Sequence, residues 1–368
     1  MPISAVDAIT PAFEHAKQQL FRPFRFGQWA RLALVGILAG ELGSAGGCNF
    51  NFSWPPPHHE HGSEHLLGVV WPPELARDTA LVAGLIAFAV IAGFGLMVLL
   101  LYITSMMRFI LFDSVIAKEC HIRQGWARRK SPGFRLFVWQ IWLMLATFAG
   151  LLVLIGIPAA VVWRMGGFTH PREHLVRLIL GAALLLLLIF AFVLAMALVQ
   201  VMTKDFVVPQ MAFEEISAME GWRRLWAALK QETGGYAGYI GMKIVLAIGA
   251  GIAFGILTFI VLFVLLIPIG GVGVAAVLAG KAAGWTWNFY TIALAVVAGC
   301  IALAILIFAA SLISVPAFVF FPAYSIYFFA GRYPPLAAAL WPQALTPFAP
   351  SSPTPESPPF PPPASPAR

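Results

Sequence analysis

The feature that most constrains this chain is the spacing of its charges. Five intervals contain no Asp, Glu, Lys or Arg: Thr79–Met107, Leu136–Trp163, Leu178–Thr203, Ile244–Gly280 and Ala282–Gly331. The shortest, Leu178–Thr203, holds 26 residues. A helix needs about 20 mostly apolar residues to cross a hydrocarbon layer roughly 30 Å thick. The first four intervals therefore each read as one span, and the fifth as one span followed by a tail broken at Pro316. A weaker sixth candidate runs from Leu32 to Cys48, interrupted by Glu41. Composition excludes a soluble alternative. Hydrophobic residues make up 60% and charged residues 11%, against about 45–50% and about 25% in soluble domains.

The expected fold is all-α and polytopic. Six spans are placed at about 32–48, 80–107, 136–163, 178–203, 244–268 and 288–315, within a transmembrane domain covering 32–333. A cytoplasmic amphipathic segment, 1–31, precedes them. A Pro-rich tail, 334–368, is expected to be disordered and partly polyproline II, because runs such as Pro358-Pro-Phe-Pro-Pro-Pro cannot build a packed core.

Lys and Arg placement predicts orientation. With both termini on one side, that side holds 18 of the 23 basic residues and the other holds 5 (Arg77, Arg164, Arg172, Arg177 and Lys281). The expectation is a bacterial inner-membrane protein with cytoplasmic termini, its basic loops beside anionic headgroups. No soluble basic domain is present, so no nucleic-acid partner is expected.

The chain repeats short patterns along its length. Phe109-Ile-Leu-Phe, Phe206-Val-Val-Pro209 and Phe318-Val-Phe-Phe-Pro322 each close a span; Gly125-Trp126 parallels Gly221-Trp222; Ile157-Pro158 parallels Ile267-Pro268. The offsets between the first two copies are 97, 96 and 110. This predicts two copies of one helical hairpin, with a third split between the chain ends. The repeats share orientation, as parallel repeats do in some transporters.

The loops between spans are amphipathic. From Gln210 to Gln231, Ile216, Met219, Trp222, Trp226 and Leu229 recur every three or four positions, and Pro209 suits a helix start. The N-terminal segment interleaves Phe24, Arg25, Trp29 and Arg31, after a helix start expected at Thr10-Pro11. With Trp126, Arg128, Arg129, Trp222, Arg223, Arg224 and Trp226, these residues form the expected membrane-interface set, with Trp at headgroup depth.

Candidate chemistry is sparse. His58, His59, His61 and His65, interspersed with Glu60 and Glu64, are suitable ligands for zinc, copper or nickel. His170 and His174 lie in the next loop on the same expected side. Glu41 is either an acid within a span, which is costly and hence a functional candidate, or the mark of a short span's end. Ala45-Gly-Gly-Cys48 resembles a degenerate lipoprotein cleavage box without its usual Leu. No phosphate-binding loop, metalloprotease motif or nucleophile elbow occurs, so neither enzymatic activity nor a cofactor is expected. The near-absence of charge within the spans argues against a proton relay. Gly93, Gly95, Gly150, Gly156, Gly249, Gly251 and Gly255 are expected to allow close helix packing.

The pattern Phe206-Val-Val-Pro209, then Phe213-Glu-Glu-x-Ser217-x-x-Glu220-Gly-Trp-Arg-Arg224, resembles the membrane domain attached to some glycerophosphoryl diester phosphodiesterases. The resemblance covers roughly Arg108 to Phe329. It implies a multi-helix membrane domain without the catalytic barrel, and it carries no functional residues across. The expected function is a non-enzymatic scaffold contacting membrane lipids or a protein partner, with a role in membrane homeostasis. The alternatives are a transporter or channel for an apolar or amphipathic solute, and metal handling through the His loop.

Overall fold

The computed structural model describes residues 3–41, 79–164, 175–284 and 288–341. Within them the chain is helical. Its elements are α1 (Ile9–Phe21), α2 (Phe26–Leu38), α3 (Thr79–Ala117), α4 (Ile122–Arg128), α5 (Lys130–Arg164) and α6 (Leu175–Met202). A π-helical turn (Thr203–Val207) follows, then α7 (Val208–Glu214), α8 (Ala218–Gln231), α9 (Thr233–Ala282), α10 (Phe289–Ala330) and α11 (Pro334–Leu340).

Five stretches are long and apolar enough to cross a membrane: Ile86–Ala117, Lys130–Arg164, Leu178–Glu214, Thr233–Ala282 and Tyr290–Ala330. They match five of the six expected spans. The sixth differs. α2 has 13 residues, about 20 Å at 1.5 Å per residue, and ends before Gly40 in the left-handed region (φ 78). Gln28 reaches the Lys118 carbonyl, while the Ala39 carbonyl accepts from Arg108, so α2 runs antiparallel to α3. Trp29 donates to the Leu312 carbonyl and Gly36 abuts Phe318, so α2 runs in the same sense as α10. Residues 42–48 of the expected span lie outside the described part.

The prolines do not break the spans. α5 passes through Pro158, α9 through Pro268 and α10 through both Pro316 and Pro322. The expected ends at Pro268 and Pro316 are thus corrected: α9 continues to Ala282 and α10 to Ala330. A proline removes one backbone hydrogen bond, and long apolar helices in lipid tolerate that loss. The expected disordered tail is also corrected at its start. Pro334 and Pro335 open α11, and Leu336 is fully buried; proline suits a helix's first turn because its missing N–H has no partner there. Residues 342–368 lie outside the described part.

Most of the buried packing lies at one end. The buried apolar residues come from α1, α2, the last turns of α3, the first turns of α5, the end of α6, the π turn, α7, α8, the first turns of α9, the last turns of α10, and α11. We call this end the base. At its centre the Phe206 ring meets Tyr236, Tyr239, Phe328 and Phe329, and Tyr239 stacks on Tyr324 at 5.1 Å. The two chain ends are tied together there. Arg332 donates to the Ile3 carbonyl, Tyr324 to the Ala5 carbonyl, and His15 Nδ1 pairs with the Tyr327 hydroxyl. Beyond the base the spans are bare: Phe88, Phe148, Leu186 and Phe259 are all exposed. Of the glycines expected to serve close packing, only Gly150 is shown doing so, its missing Cβ facing Phe192 of α6. Gly93, Gly95, Gly156, Gly249 and Gly255 have open space where a Cβ would stand.

The interfacial helices are built differently from the expectation. α1 begins at Ile9 with no side-chain cap, so Thr10 lies inside the first turn. The amphipathic stretch 210–231 is two helices, not one. Glu215 turns left-handed (φ 53), and Ser217 caps α8 by accepting from the Glu220 N–H. α8 turns Ala218, Gly221 and Leu225 inward.

Candidate functional site: a charge cluster beneath an apolar cleft

The π turn interrupts an otherwise continuous helix from α6 to α7. One extra residue per turn re-aims the side chains around it, and such insertions often mark functional positions. Here it carries Lys204 and Asp205, which serve two different partners. Lys204 pairs with Glu41, just beyond α2. Asp205 pairs with Lys243 of α9 and also accepts from the Tyr239 hydroxyl at 3.0 Å. Arg108 of α3 completes the group. Its Nε donates to the Ala39 carbonyl at 3.3 Å, while its buried Nη1 has no hydrogen-bond partner among the described residues.

Glu41 and Asp205 are almost wholly buried, at 3% and 1% side-chain exposure. Buried ions survive only when paired and hydrogen-bonded, and here the pairing ties α2, the π turn and α9 together. Two acids against Arg108, Lys204 and Lys243 leave these five side chains with a net charge of +1. Above them opens a cleft of about 390 Å³. Its floor is Glu41, Arg108, Lys204 and Lys243; its walls are Leu194, Ala197, Leu198 and Val201 of α6 and Ile240, Ile244 and Ala247 of α9.

A family model for a family of unknown function, DUF7544, matches residues 3–339. The chain belongs to DUF7544. No curated protein and no solved structure matches this DUF7544 chain significantly.

Four of the five clustered residues were missed by sequence reasoning. Arg108, Lys204 and Lys243 were counted as loop charges, and Asp205 was not weighed. The signal was nonetheless present. Arg108 and Lys204 are the first charges after two charge-free intervals, and Lys243 is the last before a third. Charges at matched ends of neighbouring spans fold to one depth. The near-absence of charge within the spans does not extend to their ends: these charges flank the spans in sequence and converge in space. Glu41 fits both alternatives in part. It follows the end of α2, and it is buried in an ion pair.

The expected interface residues divide into two groups. Phe24, Arg25, Arg31, Arg128, Arg223, Arg224 and Trp226 are exposed. Arg129 is not, and this is a correction. It forms a fork to Asp113, both bonds at 2.7 Å, and donates to the Ala212 carbonyl at 2.5 Å. With its fork taken by Asp113 and a further N–H by Ala212, the guanidinium is directed into the base and not toward headgroups. Three tryptophans also turn partly inward. Trp222 donates to Thr203 at 3.0 Å, Trp29 to the Leu312 carbonyl at 2.8 Å, and Trp126 meets the Tyr102 ring. On α8, Met219, Arg223, Trp226 and Lys230 form one outward stripe, with the Lys230 ammonium 5.8 Å from the Trp226 ring.

His58, His59, His61 and His65 lie outside the described residues, as do His170, His174 and Cys48. Among the described residues no group of three or more His, Cys, Asp or Glu could hold a metal.

Outside the spans, three titratable groups report on the base. Burial lowers the His15 pKa, partly opposed by its bond to the Val115 carbonyl. That carbonyl accepts only, so Nε2 carries the proton and Nδ1 accepts from Tyr327. Burial raises the Cys120 thiol. Arg332, bonded to Glu232 at 2.6 and 2.7 Å, holds that carboxyl below its ordinary range.

Proposed function

We propose that this DUF7544 chain is a non-enzymatic scaffold of a bacterial inner membrane, with both termini cytoplasmic. Its base lies at the inner headgroup layer, and its spans contact lipid or partner helices. The observation that carries this reading is the division of packing. A firmly tied base holds five long apolar helices whose flanks have few partners within the chain. Exposed apolar surface on that scale seeks a lipid or protein neighbour. The outward stripe of α8 adds an interfacial surface in which apolar and basic side chains alternate.

The proposal includes the internal repeat, and four pairs of features support it. Lys118 and Glu215, the non-glycine residues with positive φ among the described part, stand 97 positions apart. Arg108 and Asp205, both in the charge cluster, share that offset. Gly125 packs on Ile110 and Gly221 on Val207, offsets of 96 and 97. Phe109 and Phe206 are both fully buried, again 97 apart. The likeness to the phosphodiesterase membrane domain is in keeping with a domain that supports other components and does no hydrolysis.

The test is depth. Spin labels are placed at Met219, Trp226 and Glu220 in nanodiscs. The first two should favour relaxation by oxygen over a water-soluble nickel reagent, and Glu220 the reverse. Equal water access at all three would sink the reading.

The second reading is passage of an amphipathic solute, favoured by the cleft between α6 and α9. Uptake of a labelled single-chain amphiphile into proteoliposomes, lost on substitution at Ala247, would carry it. Uptake equal to that of protein-free vesicles would end it.

A further inference from the structure

The cleft between α6 and α9 combines three properties that a packing defect does not. Its lining gathers Arg108, Lys204 and Lys243 at one end, its walls are apolar apart from Gln200, and the Arg108 guanidinium keeps one buried donor, Nη1, without a partner among the described residues. Leu194, Ala197, Leu198, Ile244 and Ala247 would leave a free hydrated ion against hydrocarbon. A purely apolar guest would cover the Arg108 guanidinium and leave its spare donor unsatisfied. The molecule that satisfies both halves is an anion carrying a chain.

We propose that the cleft is a binding site for the headgroup of one anionic phospholipid. This deepens the scaffold reading and rests on it for the membrane setting. The phosphate would lie beside Arg108, whose guanidinium would turn its unpartnered Nη1 toward the cleft to donate to it. A phosphodiester oxygen matches a guanidinium N–H as a charge-assisted acceptor. Lys204 and Lys243 stay with Glu41 and Asp205. One acyl chain follows the groove of Ala197 and Ala247, where the small side chains leave room. The π turn makes the site, because it lets consecutive residues Lys204 and Asp205 anchor opposite sides of the cluster.

Phosphate chemistry alone would also suit a free phosphate ion, so the test separates the two sources. Full-length protein is purified into nanodiscs of phosphatidylcholine with a minor fraction of phosphatidylglycerol, then extracted into a zwitterionic detergent for native mass spectrometry. Wild type should retain one phosphatidylglycerol and no phosphatidylcholine. Arg108→Gln should lower retention about tenfold, as expected for a lost charge-assisted bond. Ala247→Phe leaves every charge in place and fills the groove, so it should also lower retention. Millimolar inorganic phosphate should not displace the lipid.

Retention unchanged in both variants would overturn the site. Displacement by inorganic phosphate would overturn the lipid assignment in favour of a free-anion pocket. Loss in Ala247→Phe while the spin labels on α8 keep their depth would support the site. If the α8 labels prove fully water-exposed while the lipid is still retained, the scaffold reading fails and the lipid site stands.

Discussion

The base and the spans of this molecule are made from nearly the same amino acids and behave differently. Phe109, Phe206 and Phe318 in the base are fully buried; Phe88, Phe148 and Phe259 in the spans are exposed. The difference is polar. Each base helix also carries a charge, an indole or a carbonyl left open at a helix end, and these must be satisfied by a neighbour. Arg129 reaches from the start of α5 to Asp113 and Ala212, Arg332 from α10 to Glu232 and Ile3, and Trp29 from α2 to Leu312. The spans offer lipid nothing to satisfy and so have no specific reason to choose one another. In a lipid-solvated chain, polar closure decides where packing is unique.

The largest effect should come from removing a strut. Arg129→Ala leaves Asp113 without its fork and the Ala212 carbonyl unpaired. Breaking a buried pair on one side costs about 3–5 kcal/mol. Part of that is screened at the 27% exposed Asp113, so a loss nearer 3 kcal/mol in a detergent thermal melt is expected. No change would mean that the base is not held by its ion pairs.

Glycine substitutions sharpen the contrast. A Cβ on Gly36 would stand 2.2 Å from the Phe318 ring, while one on Gly93 would meet nothing within 4 Å. Gly36→Ala should destabilise by about 1–3 kcal/mol through overpacking. Gly93→Ala should be neutral or stabilising by up to about 1 kcal/mol, because alanine favours the helix. Equal losses at both positions would erase the distinction between base and spans.

Acid provides a milder probe. His15 is held neutral, its folded pKa lowered by burial, so the unfolded chain binds more protons. The contribution is present above the unfolded pKa of about 6.5 and is lost as pH falls toward the folded value. The melting temperature should decline between roughly pH 7 and pH 5, and His15→Gln should flatten that slope. A slope unchanged in the variant would remove His15 as the cause.

The smallest effect belongs to the outward stripe. Met219→Ser with Trp226→Ser should shift stability by less than about 0.5 kcal/mol. The difference between melting temperatures in anionic and zwitterionic nanodiscs should nevertheless shrink in this variant.

Much of the fold was legible because apolar length is a one-dimensional quantity. Five spans follow from the charge-free intervals alone. The span expected at 32–48 is described only as far as Glu41, with α2 ending at Leu38 and Glu41 drawn into a pair with Lys204, a tertiary contact that no local pattern signals. The Pro-based boundaries failed for a related reason: proline's penalty is local, while a long apolar helix is held by everything around it. The candidate site was half visible. Glu41 stood out as a lone acid in an apolar run. Its partner Lys204 looked like any basic residue at a membrane edge, and only the π turn aims it inward.

The central claim is that paired charges beneath the cleft lock α2, the π turn and α9 into one base. A double-mutant cycle on Asp205→Asn and Lys243→Met, read by unfolding in mild detergent, tests it most directly. Contacting residues that share a buried pair should couple by at least about 2 kcal/mol, with the double variant more stable than the sum of the single losses implies. Additivity within about 0.5 kcal/mol would contradict the account.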